Sequence, residues 1–76
     1  MGEPVQEGWE AKAATLSFEE AMAQLEEVVA RLEGEPLPLE EAERLYLWGR
    51  ALAARCRQLL DEAELRLEEI GAEAPA

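Results

Sequence analysis

Carboxylates are the most abundant chemically competent groups in this 76-residue chain, with 18 acidic residues against 7 basic ones. Paired glutamates projecting into a helical bundle can hold a metal, but such a site also takes inward histidines, and the chain has none. Glu27 and Arg31, Glu40 and Arg44, and Glu62 and Arg66 stand instead at i,i+4 spacing, which predicts charge-paired, solvated helix faces. Cys56 is the only cysteine, so no internal disulfide can form. It lies on an apolar stripe without a histidine to activate it, which makes it a structural thiol rather than a nucleophile. Trp9 and Trp48 could stack on unpaired bases, but neighbouring glutamates and the lack of a basic groove favour protein contact. The formal net charge of -11 repels phosphate backbones and anionic membrane surfaces. No catalytic group, cofactor, metal ligand or nucleic-acid site is therefore expected. No apolar run is long enough for a membrane span or a signal peptide, so the expected setting is the cytoplasm.

What remains for the residues to do is to build helices that bury one side. Ser17 followed by Glu20 forms a capping-box pattern, in which each side chain satisfies the other residue's backbone NH, so helix 1 should begin at about Phe18. Phe18, Ala21, Met22, Leu25, Val28, Val29 and Leu32 then recur at spacings of three and four on one face. The pattern halts at Gly34, Glu35 and Pro36, and each proline of the linker drives its predecessor, Glu35 or Leu37, out of the helical region. Pro38 suits the first turn of helix 2, and Glu40 and Glu41 complement the positive end of its dipole. A short linker makes the two helices antiparallel neighbours.

Helix 2 carries Ala42, Leu45, Tyr46, Gly49, Leu52, Ala53, Cys56, Leu59, Leu60, Ala63, Leu67 and Ile70 in a coiled-coil-like repeat. The expected fold is all-α, an antiparallel hairpin of a short and a long helix over residues 16–71. Residues 1–15 are expected to form a flexible N-terminal tail, with Trp9 its only large anchor and a backward extension of helix 1 from about Glu10 as the alternative, and 72–76 a C-terminal tail. The hairpin core should comprise Phe18, Met22, Leu25, Val29, Leu32, Leu45, Gly49 and Leu52. Gly49 costs a helix about 1 kcal/mol relative to alanine, so it either admits a close neighbour, the favoured reading, or is a tolerated flaw.

At about 1.5 Å per residue helix 1 spans roughly 24 Å and helix 2 close to 50 Å, so half of the long stripe has no cover. Burial of Leu59, Leu60, Leu67 and Ile70 is worth roughly 6–12 kcal/mol, comparable to the whole stability of a small domain. Trp48, Cys56, Leu59, Leu60, Ala63, Leu67 and Ile70 are accordingly expected to meet another chain, by self-association or through a different partner.

Ser17-Phe18-Glu19-Glu20-Ala21, Leu25-Glu26, Val29, Leu32-Glu33, Leu39-Glu40-Glu41, Tyr46, Gly49, Leu52, Cys56, Leu60 and Ala63-Glu64 together resemble the exodeoxyribonuclease VII small subunit family, from Ser17 to about Ile70. The resemblance implies a non-catalytic subunit that joins a large catalytic subunit. The enzyme so formed degrades single-stranded DNA from either end to oligonucleotides and nucleoside 5'-phosphates. Two features depart from the pattern: Gly34 stands one residue early, and Leu47 and Trp48 replace a polar pair before Gly49, giving helix 2 an extra apolar flank with Ala51 and Ala54. Without the resemblance, a generic helical-hairpin adaptor explains the uncovered stripe equally well. A stand-alone enzyme or nucleic-acid binder lacks candidate residues.

Overall fold

A computed structural model describes residues 5–73 as three α-helices: α1 (Val5–Ala13), α2 (Phe18–Gly34) and α3 (Leu39–Glu73). The first four residues of the expected N-terminal tail and the last three of the expected C-terminal tail lie outside the described residues. The all-helical expectation holds, but the architecture has three helices where two were expected.

The reciprocal cap fixes the start of α2. Glu20 N donates to Ser17 Oγ at 3.1 Å, and Ser17 N donates to Glu20 Oε1 at 2.9 Å. The helix runs through Gly34 and stops at Glu35, whose backbone is extended (φ -121°, ψ 151°) because Pro36 excludes the helical region for the residue before it. Gly34 therefore makes no left-handed turn, and proline alone sets the boundary. Pro38 sits one position before α3, its carbonyl accepting the first helical hydrogen bond from Ala42 N at 2.9 Å. Gly71 lies inside α3, which continues to Glu73, past the expected boundary at 71.

Contacts of widening sequence separation show that α2 and α3 are antiparallel. Arg31 pairs with Glu41 beside the linker, and Arg55 reaches Leu16 at the far end. Between them Val28 and Leu25 lie against Gly49: a Cβ built there would stand 3.2 Å from Val28 Cγ1 and 3.9 Å from Leu25 Cδ1. Gly49 is thus the point of close approach. Arg31 takes Glu41 of the other helix rather than Glu27 of its own. Among the described residues Arg57 and Asp61, at 3.7 Å, form the only other ion pair, so the expected Glu27–Arg31, Glu40–Arg44 and Glu62–Arg66 pairs are not formed.

The unexpected helix, α1, packs on α3. Trp9 and Ala13, four apart and so on one face, join the core, with Ala13 buried. Gly8 weakens α1 locally, and nine residues are too few for a stable isolated helix, so tertiary contact rather than propensity forms it. Its last turn closes through Ala14 N to Glu10 O (2.9 Å), Leu16 N to Ala13 O (3.0 Å) and Thr15 Oγ1 to Lys12 O (2.8 Å), leading directly into the Ser17 cap.

The buried core consists of Ala13, Ala21, Val28, Ala51, Leu52 and Cys56, and Leu52 is fully enclosed. The expected hairpin core is corrected accordingly. Leu52 is buried, and Met22, Leu25, Leu45 and Gly49 are half-buried, but Phe18, Val29 and Leu32 are exposed. One facing helix covers only part of the apolar stripe of α2. Ala21 and Val28, seven apart, take the contact line and leave the bulkier side chains beside it open.

Candidate functional site

The residues expected to meet a partner divide into two groups. Cys56 is buried in the chain's own core, and Trp48 is half-buried against it. Cys56 is removed from the external surface and Trp48 partly so, because α1 and α2 pack along that stretch of α3. Lys12 Nζ stands 5.8 Å from the centroid of the Trp48 ring, a cation–π contact from α1. The flank of Leu47, Trp48, Ala51 and Ala54, anomalous in a two-helix hairpin, is the seat of α1: Leu47, Ala51 and Ala54 share a groove with Trp9.

Leu59 is half-buried, and Leu60, Ala63, Leu67 and Ile70 are exposed on the part of α3 that extends past α2. Leu65, which was not singled out in the sequence, is exposed there as well. Shortly before this overhang Arg55 Nε donates a hydrogen bond to Leu16 O. From Leu60 to Gly71 every residue of the helix is exposed, over roughly 18 Å.

A second open surface was not recognised as such from the sequence. Leu39, Tyr46, Ala53, Leu60 and Leu67 recur every seven residues along α3, and the four large ones are 74%, 57%, 52% and 66% exposed respectively. At about 100° per residue this seam lies roughly 70° around α3 from the line that meets α2 and roughly 160° from the line that meets α1. Leu32 of α2 shares an open apolar groove with Leu39, Ala42 and Tyr46, so the exposed side of α2 continues the same face. In the sequence this seven-residue period adjoins the line of Leu45, Gly49, Leu52 and Cys56, so the two read as one broad stripe until α2 is placed.

This arrangement is suited to holding another helix. A seven-residue apolar repeat is the pattern by which helices pack side by side, and exposed aliphatic and aromatic groups gain most from that burial. Among the described residues no three His, Cys, Asp or Glu side chains converge as a metal site would require, and no helix is long and apolar enough to cross a membrane.

A sequence model described as exonuclease VII small subunit matches residues 18–69, which comprise α2 and nearly all of α3. The chain is similar to the exodeoxyribonuclease 7 small subunit of Phenylobacterium zucineum, at 48% identity over 79% of this chain and 75% of that protein. It is also similar to that of Novosphingobium aromaticivorans, at 52% over 79% and 72%. The small subunit of Symbiobacterium thermophilum is 53% identical over 72% and 74%. No solved structure matches the chain. The family match begins at the first residue of α2, so α1 lies before it.

Proposed function

We propose, since the chain belongs to the exonuclease VII small subunit family, that it acts as the non-catalytic partner of a large catalytic subunit, in an enzyme that degrades single-stranded DNA from either end to oligonucleotides and nucleoside 5'-phosphates. The supporting observation is the uncovered apolar surface of α3, where Leu60, Leu67 and Ile70 remain exposed on an otherwise folded chain. A helix that holds such groups in water is built for an assembly. In this reading the chain contributes surface rather than chemistry. It holds no cofactor, and its charge of -11 keeps it from binding DNA directly. It works in the cytoplasm, and alone it self-associates to cover the same apolar groups.

The experiment is reconstitution with the large subunit of the same host. Co-purification of the two chains, with single-strand exonuclease activity in the mixture and none in this chain alone, is the expected result. Tight salt-dependent DNA binding by the isolated chain, or failure of the two chains to associate at micromolar concentration, refutes it.

A further inference from the structure

The open face between α2 and α3 is bordered by two rows of charge that decide what can dock there. On the α2 side Glu19, Glu26 and Glu33 stand seven apart, and on the α3 side Glu43, Arg50, Arg57 and Glu64 do the same. All seven are exposed. Among the described residues, only Arg57 of these takes part in an ion pair within the chain, with Asp61 at 3.7 Å, and both members of that pair are largely exposed.

We propose that this face docks a second copy of the chain about a two-fold axis parallel to α3, so that α3 of each copy lies on α2 of the other in a four-helix bundle. The register follows from the hairpin. Val28 and Leu25 flank Gly49, so in antiparallel packing residue n of α2 lies level with about residue 76 - n of α3. A two-fold axis along the helices preserves these heights in the second copy. Glu26 of one copy then comes level with Arg50 of the other, and Glu19 with Arg57. Glu33 meets Glu43 as the one like-charge pair. Symmetry repeats each contact, giving four attractive pairs against two repulsive ones, with Ala53 at mid-seam permitting close approach.

The competing two-fold axis, perpendicular to α3, sets the seams antiparallel about Ala53. That arrangement brings Arg50 against Arg57 and Glu43 against Glu64, all like-signed, and like charges directly opposed disfavour a pairing. Docking on the other side is disfavoured, because α1 already packs there: Trp9 and Glu10 share a groove with Leu47, Arg50, Ala51 and Ala54, so Arg50 stands at the border between the two sides. The inference rests on the self-association proposed above and names its face; it is independent of the contact with the large subunit.

A charge-swap series in the full-length chain tests it by sedimentation equilibrium, with far-UV circular dichroism as the fold control. Arg50→Glu and Glu26→Arg, both at exposed rim positions, should each weaken the dimer on the order of tenfold. Combining them restores the pairing between copies, and the dimer should return to within about threefold of the unmodified chain. Single variants without effect, or a double variant no better than the singles, overturn the proposed face. A wild-type chain that stays monomeric overturns self-association itself, while unaltered capture of the large subunit in that experiment leaves the small-subunit reading standing. If the singles weaken only that capture and spare the dimer, the face belongs to the large subunit and the proposal fails.

Discussion

The guanidinium Nε of Arg55 donates to the carbonyl oxygen of Leu16 across 2.9 Å, joining residues 39 positions apart. This bond ties the corner between α1 and α2 to α3, one turn before the stretch from Leu60 onward in which every described side chain is exposed. Its Nη1 also donates to Gln58 Oε1 at 3.2 Å, which holds the guanidinium along α3. A charged donor on a half-buried carbonyl is among the stronger hydrogen bonds of a protein this small.

Arg55→Ala should therefore destabilise the chain by about 1.5–3 kcal/mol. Thermal unfolding followed by circular dichroism is the measurement, and a fall in Tm of roughly 6 °C or more is the expected outcome. An unchanged Tm would mean that the corner is held by packing alone.

Local signals of cap and proline were legible in the sequence. Ser17 and Glu20 fixed the first residue of α2, and Pro36 its last turn, because each acts through bonds within four residues. What depended on the third dimension was not. α1 has Gly8 and no sustained apolar period, and it forms because Trp9 and Ala13 find the Ala51 flank of α3. Trp48 looks like a partner contact for the same reason, since it is α1 that brings Lys12 over its ring, whereas Cys56 lies level with the first turn of α2 and is buried with Ala21 in the core. Bulk was also a poor guide to burial on α2. Ala21 is enclosed and Phe18 exposed, because the closest approach of two helices selects small side chains.

Trp9→Ala should release α1 and leave the rest intact. Trp9 packs on the core from a nine-residue helix that cannot persist alone. Amide exchange should accelerate throughout α1, and Trp48, left as the sole tryptophan, should fluoresce as a more solvated ring than it does when Lys12 and α1 cover it. Protection in α2 and the first half of α3 should persist. Loss of protection there as well would show that α1 is integral to the hairpin.

Gly49 sets the separation of α2 and α3, and its variants should reveal a sign change. Alanine gains about 1 kcal/mol in helix propensity, but its Cβ would stand 3.2 Å from Val28 Cγ1, a buried, β-branched and stiff neighbour. The two effects offset one another, so Gly49→Ala should leave stability nearly unchanged. Gly49→Val adds further bulk to the same contact and should destabilise by about 1–3 kcal/mol. Denaturant titration decides between them, and a Gly49→Val chain as stable as the original would remove close approach as the reason for the glycine.

Leu52 and Leu60 stand eight residues apart on α3 in opposite environments, one fully enclosed and the other 52% exposed. A glutamate at either position alters the same apolar repeat, yet the consequences should separate. Leu52→Glu places an unpaired carboxylate in the one core found among the described residues, costing several kcal/mol that so few buried residues cannot offset, so helicity itself should collapse. Leu60→Glu projects into water and should preserve the circular dichroism of the monomer. Its loss lies in assembly: the rise of apparent Tm with concentration expected of a self-associating chain should flatten, and capture of the large subunit should weaken with it. Should Leu60→Glu unfold as completely as Leu52→Glu, the seam through Leu60 would belong to the core. Should it assemble at wild-type affinity, the exposed face of α3 would not be what another chain covers.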